Sequence, residues 1–208
     1  MMRKTIFLAI QMLFIFGNVA CFGAGPIEFD FEQSEQTWFV PDWAISQDDC
    51  VCKNAILSAV QPFEGKQSLE LQCKFPGNKW TGAVVEFDGQ MDLSGCKGIS
   101  AEVYLPKEVN SNLLLGRFFF TAGDKWSFIE SRNTTQLKPG EWTKISATFD
   151  TTNPKGTPNW KFKREQGNLQ DNIKDIRRVG VRIEYNANEW QAGAPYEGPV
   201  YIDNVVIE

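Results

Sequence analysis

The residues able to do chemistry fall on alternate positions of short apolar runs. In Trp126–Arg132, one side carries Trp126, Phe128, Glu130 and Arg132, while Ser127, Ile129 and Ser131 fall on the other. Trp80, Gly82, Val84, Glu86 and Asp88 share one side of a second run, and Arg178, Gly180, Arg182, Glu184 and Asn186 one side of a third. Arg117 interrupts the apolar stretch Leu113–Phe120. In an extended strand such alternation sends successive side chains to opposite faces, so these indoles, guanidinium groups and carboxylates would project away from the core. A polyhydroxylated ring is recognised by this kind of set: its C–H faces stack on indoles, and its hydroxyls bond to Arg, Glu, Asn and Gln. The competing reading is that the tryptophans fill the core, because large aromatics are highly buried on average. Trp38, in an apolar segment, and Trp142, after a Lys-Pro-Gly-Glu turn, read as core. Trp43, Trp80, Trp126, Trp160 and Trp190 lie among polar or turn residues and read as site candidates.

Catalysis has little to work with. The chain contains no histidine, which removes the Ser-His-Asp triad, the Cys-His pair and any His-ligated metal centre. A pair of carboxylates can run glycoside hydrolysis, and Glu130 with Glu184 is the pair to test. With 26 acidic residues, however, such pairs arise by chance. The acids read better as acceptors for sugar hydroxyls, and the chain as a non-enzyme.

The elements that would position these groups are strands. Leu69, Leu71, Cys73 and Phe75 share one face, as do Ile99, Ala101, Val103 and Leu105. Ile145, Ala147 and Phe149 repeat the pattern, and so do Val179, Val181, Ile183 and Tyr185. Turn residues such as Glu64-Gly-Lys66, Phe75-Pro-Gly77 and Lys138-Pro-Gly140 bound these runs. No long helix is expected after the N-terminal segment; residues 169–176 allow a single turn. Thr151–Asn168 reads as one long irregular segment. Many short strands with Gly/Pro turns predict an all-β, antiparallel two-sheet sandwich of jelly-roll type.

Residues 1–23 read as a secretory signal: Arg3 and Lys4, an apolar run from Ile6 to Phe16, then small residues. That run is about half of the ~20 residues needed to span a bilayer, so no transmembrane anchor is expected. A rival reading lipidates Cys21 in Val19-Ala20-Cys21, although Asn18 stands where such sites carry leucine. Residues 24–208 are then one domain, secreted or periplasmic. Losing two cations takes the net charge from −5 to −7, which argues against nucleic acid or an anionic membrane as partner. Cys50, Cys52, Cys73 and Cys96 remain, an even number that reads as two disulfides in an exported chain. Cys50 and Cys52 are too close for an easy mutual bridge, so each is expected to reach Cys73 or Cys96.

Taken in order, Phe29-Asp-Phe-Glu32, Glu64-Gly-Lys-Gln-Ser-Leu69, Met91-Asp-Leu-Ser-Gly95, Val103-Tyr-Leu-Pro106, Leu137-Lys-Pro-Gly-Glu-Trp142 and Gly198-Pro-Val-Tyr-Ile-Asp-Asn-Val205 form a pattern. It resembles the galactose-binding-like β-sandwich carbohydrate-binding modules, most closely the mannan-binding modules of secreted mannanases. The resemblance implies a non-catalytic module that binds a β-linked glycan such as mannan, by stacking on Trp43, Trp80 and Trp126 beside Arg117. Glu130 and Arg182 would read hydroxyls alongside Arg117. It also implies a structural calcium between the first and last strands, held by Asp30, Glu32 and Asp203 with carbonyls near Gly65–Gln67. Without the resemblance those acids read as solvent-facing strand positions. A separately encoded glycanase is the partner such a module would serve. The Asp48–Cys52 insertion, the cysteines and the 151–168 segment depart from the family pattern. An alternative from another class is a cell-envelope structural or protein-interaction domain on the same scaffold.

Overall fold

In a computed structural model of the chain, the described residues are 25–109, 113–163, 167–186 and 193–208, with the backbone of Val19–Ala20. The expected leader lies outside them apart from that pair, as do Cys21 and Trp190. In chain order the strands are β1 (Val19–Ala20), β2 (Ile27–Phe29), β3 (Trp38–Phe39), β4 (Cys52–Ser58), β5 (Ser68–Phe75), β6 (Thr81–Asp92) and β7 (Gly98–Tyr104). They continue with β8 (Leu114–Ala122), β9 (Ser127–Ser131), β10 (Thr135–Gln136), β11 (Trp142–Thr148), β12 (Trp160–Phe162), β13 (Ile176–Tyr185) and β14 (Tyr196–Ile207). Two short helices, α1 (Asp42–Ile45) and α2 (Leu169–Asn172), complete the set, and a single 3₁₀ turn follows the second.

One sheet runs β1-β6-β13-β8-β9-β12, with β3 against β6 and β10 against β8; the other runs β11-β7-β14-β5-β4, with β2 against β14. All pairings are antiparallel except the two-residue β1–β6 contact. The alternating apolar residues meet between the sheets: Val179, Val181, Ile183 and Tyr185 from β13, Phe118 and Phe120 from β8, and Leu69, Leu71, Ala101 and Val103 opposite are all buried. The strand faces expected from sequence are the faces observed.

Among the tryptophans, Trp38 is in the core, edge-on to Phe29 and Phe31. Trp160 is there too, contrary to expectation: it stacks on Phe120 at 4.7 Å and donates its Nε1–H to the Thr148 carbonyl at 2.8 Å. The segment read as irregular therefore contains a strand, because β12 can attach to β9 and bury an aromatic beneath it. Trp142 moves the other way. It is half-buried on the outer face of the five-strand path, packed between Tyr104 and Phe63.

The cysteine expectation also needs correcting for three of the four residues; Cys96 is not among the free thiols. Cys50, Cys52 and Cys73 are buried free thiols. Cys52 and Cys73 are cross-strand partners, and burial pushes the Cys73 thiol well up. Cys96 is not near them: Cys73 pairs with Gly198 of β14, whereas Ile99 pairs with Ile207, nine residues further along the same strand. At about 3.3 Å per residue that is roughly 30 Å. Three residues of chain cannot return Cys96 to within the ~7 Å a disulfide needs.

The carboxylates chosen for calcium hold a loop. Glu32 Oε1 accepts the N–H groups of Lys66 and Gln67 at 2.8 and 2.9 Å, and Gln67 Nε2 returns a bond to the Glu32 carbonyl at 3.0 Å. Gly65, at φ +62°, passes so close to the Glu32 carboxylate that a Cβ there would lie 2.4 Å from Oε1. Asp203, buried on β14, accepts from Phe63 N at 2.8 Å and Asn204 N at 2.8 Å. Asp30 is exposed and, among the described residues, accepts only the nearby Glu32 N–H. Among the described residues no three carboxylates converge on a point, and the two that reach the loop already serve backbone donors. This donor set does not fit a calcium cage. The ends of the domain are instead joined through β2 on β14 and through the Phe63–Gln67 loop tied to both.

Asp203→Ala, which strands the backbone N–H groups of Phe63, Glu64 and Asn204, should cost about 1–3 kcal/mol in denaturant unfolding. Asp203→Asn, which keeps an acceptor and removes the buried charge, should cost less. A chelator should leave the melting temperature of the wild type unchanged; a lowered one would restore calcium to this site.

Candidate functional site

The outer face of the larger sheet carries the polar set picked from sequence, and strand register explains why. Arg182 pairs with Val84 on one side and Arg117 on the other, Gly180 with Glu86 and Phe119, and Phe119 in turn with Glu130. The chemistry-bearing residues of β6, β13, β8 and β9 therefore stand in adjacent rows. Gly180 is required there. A Cβ at that position would come within 2.1 Å of the Phe119 ring, which lies across it and stacks on Phe128 with centroids 5.0 Å apart.

A groove of about 590 Å³ lies over this face. Three tryptophans line it, each from a different segment: Trp43 from α1, Trp80 just before β6 and Trp126 from the β8–β9 loop. They are 41%, 38% and 54% exposed, unlike the buried Trp38 and Trp160. Each is fixed by a specific contact. Trp43 stands edge-on to Phe119 and Phe128 and donates its Nε1–H to Glu86 at 3.2 Å. The Arg182 guanidinium lies over Trp80 at 5.8 Å, and that of Arg178 over Trp126 at 5.1 Å. Trp126 adopts φ +54°, a left-handed conformation that costs a bulky residue on the order of 1 kcal/mol. Its N–H bonds to the Gly123 carbonyl at 3.1 Å, closing the loop that turns the indole to the groove.

Beneath the aromatics lies a buried ion network. Arg182, 5% exposed, bonds Glu130 at 2.7 Å and Glu184 at 2.5 Å. Arg117 reaches Glu184 at 3.1 Å, Glu130 at 3.9 Å and the Ser131 carbonyl at 3.3 Å. Lys163 and Lys161 approach Glu130 at 3.6 and 3.8 Å. Burial by itself would push the Glu130 carboxyl up, but the Arg182 hydrogen bond, together with the charges of Arg182, Lys163 and Arg117, outweighs it and holds the group below the usual carboxylate range. Its stabilisation is thus present above the unfolded carboxylate range and is lost only as pH falls through the lower folded value. Glu86, fully buried, behaves oppositely. Burial pushes it up, and the Arg178 charge and the Trp43 hydrogen bond do not fully offset that.

All six residues expected at the binding site meet on this face. The ones sequence reasoning passed over are Glu86 and Arg178, which brace two of the indoles, Phe128, which floors the groove, and Lys161 and Lys163. The alternation in β6 and β13 contained the first two. Lys161 lies on, and Lys163 directly follows, a strand that the sequence did not reveal.

No protein-family model matches the chain, and no curated protein sequence matches it. Solved structures do. A family 27 carbohydrate-binding module of Caldicellulosiruptor saccharolyticus, CBM27-1, crystallised in complex with mannohexaose, superposes with a TM-score of 0.57 at 19% identity, over 89% of this chain and 98% of that one. A non-crystalline cellulose specific carbohydrate-binding module, CBM28, gives 0.56 at 13% identity, over 86% and 92%. The fold is that of the β-sandwich carbohydrate-binding modules, as the motif resemblance implied.

Titrating tryptophan emission downward in pH should show a step above the ordinary carboxylate range, as Glu86 loses its charge beside Trp43 and Arg178. Glu86→Gln should abolish that step; an unchanged step in the variant would assign it to another group.

Proposed function

We propose that this chain is a non-catalytic module that binds a β-linked polysaccharide, such as mannan, in the groove of its larger sheet. The observation that carries the reading is the convergence of Trp43, Trp80 and Trp126, all partly exposed, on one groove above a buried polar network. An exposed indole costs solvation and gives the fold little, so three in one cleft favour a ligand with apolar faces. Sugar rings present such faces at regular spacing along a chain. Arg178 and Arg182 stiffen two platforms from one side, while Arg117, Glu130 and Arg182 offer donors and acceptors near the floor. The mannohexaose-bound neighbour lends support through its shared fold.

Catalysis by Glu130 and Glu184 is disfavoured by the same network. A general acid needs a raised pKa, whereas Glu130 is held low, and both carboxylates are engaged by Arg182 and Arg117. Export of the domain, and service to a separately encoded glycanase, complete the proposal. No described helix is long and apolar enough to cross a membrane.

A second reading, a protein-contact domain, draws on Ile56, Val60 and Phe63, which are exposed large apolar residues away from the groove. Titration with soluble β-mannan separates the two. Trp80→Ala and Trp126→Ala should each weaken binding roughly tenfold, about 1.4 kcal/mol, with no change in melting temperature. No reducing ends should be released from the polymer. Wild-type affinity in both variants would remove the groove from the account, and absence of binding to any soluble glycan would favour the protein-contact reading.

A further inference from the structure

The charge of the groove is uneven along its length. At the end formed by β6 and the start of β13, Glu86 and Asp88 face one cation, Arg178. At the β8–β9–β12 end the balance reverses. Two buried carboxylates, Glu130 and Glu184, are met by four cations: Arg117, Arg182, Lys161 and Lys163. The two arginines alone match the two carboxylates, and they do so at the shorter distances, 2.5–3.1 Å. Arg117 and Arg182 each still keep a buried Nε–H without an acceptor among the described residues. The lysines are surplus. Their ammonium groups stand 3.6 Å (Lys163) and 3.8 Å (Lys161) from Glu130, and the two side chains are 44% and 53% exposed, so they remain open to a further anion.

These lysines are also held in place. Lys161 lies on β12 opposite Glu130, and Lys163 directly follows that strand, donating its N–H to the Phe128 carbonyl at 3.1 Å. Its ammonium sits over the Phe128 ring at 4.8 Å, inside the groove wall. Trp160 anchors the strand from beneath, through its stack on Phe120 and its bond to Thr148. Among the described residues this end carries a surplus of two positive charges, with Lys163 lining the partly apolar cleft and Lys161 beside it. Asp49, a further acid of the lining, lies on the β6 side against Gly82. On a chain of net charge −5 that surplus is an anion site by charge complementarity.

We infer that the β9–β12 end of the groove is a subsite for an anionic sugar, with Lys161 and Lys163 receiving the carboxylate of a uronate unit carried by the bound glycan. This rests on the groove's being a glycan site and adds the class of glycan: an acid-decorated polymer rather than a wholly neutral one. Neutral rings would stack at the tryptophans while the acidic unit lies against Phe128 and the lysines.

The test compares one uronate-bearing xylan before and after chemical reduction of its carboxyl groups to neutral sugar, by calorimetry. The wild type should favour the acidic form by roughly three- to tenfold at low ionic strength. That preference should fall toward one as salt rises from about 0.01 M to about 1 M, where the screening length shrinks from roughly 30 Å to 3 Å. In Lys161→Gln/Lys163→Gln the ratio of the two affinities should also fall toward one. A ratio near one in the wild type, or an undiminished ratio in the variant, would overturn the inference and leave the glycan site standing. Failure to bind either form or any neutral glycan would sink both. Selective binding of a sulfated polymer over the uronate one would overturn the carboxylate assignment in favour of a sulfate ester.

Discussion

Burying a carboxylate costs several kcal/mol unless a cation meets it with good geometry, and the larger sheet buries three on its outer face, Glu86 beside Arg178 and the pair Glu130 and Glu184. Glu130 and Glu184 can stand there because Arg182 bridges them and Arg117 closes the set from the neighbouring strand. This constraint reaches outward. It fixes β8, β9 and β13 in register, since slipping any of them by one residue would turn a charge into the core. It places the Arg182 guanidinium where it can lie over Trp80. It also leaves the sheet floor polar and rigid under an aromatic rim, so the hydrogen-bonding groups near the groove are already arranged before any ligand arrives.

The rim is assembled differently. None of its three tryptophans lies within a regular strand: one is on a four-residue helix, one precedes β6, and one is in a hairpin loop with left-handed backbone geometry. Loops tolerate such placements because the strands beneath supply the stability, and the contacts of each indole with Glu86, Arg182 or Arg178 limit how far it can swing. The joining of the termini serves the opposite face of the sandwich, where carboxylates bind loop amides. The two sheets thus use acids in different ways, as partners of arginine on one and as backbone acceptors on the other.

Much of this was legible in the chain. Period-two alternation separates core from outer face in β5, β7, β11 and β13, because each of those strands has one dry side. The same alternation puts Glu130, Arg182 and Arg117 on a polar side, though not which acids would pair with which arginines. That depends on cross-strand register, which spacing within a strand does not encode. Trp160 departs from its sequence signature for a related reason. Its flanking turn residues, Pro158 and Gly156, suggest a surface loop, yet a three-residue strand bonded to β9 is enough to bury the ring. Trp142 erred the other way, since a tryptophan after a turn looks the same in sequence whether its strand presents it inward or outward. The even count of cysteines suggests pairs, but a count holds no information about the length of β14 that separates Cys96 from Cys50, Cys52 and Cys73. In sequence, Asp30, Glu32 and Asp203 read as ligands of a cation between the first and last strands, because acids that accept backbone amides and acids that ligate a cation have the same sequence signature.

On the proposed function, one face and one set of indoles meet the glycan. Indole N–H resonances of nitrogen-15-labelled protein, assigned by single Trp→Phe variants, can be followed while a soluble β-linked oligosaccharide is added. Shifts are expected for Trp43, Trp80 and Trp126 and none for Trp38 or Trp160, which are packed inside the sandwich. Shifts confined to Trp142, on the other sheet, or no shift at all from a folded protein, would contradict it.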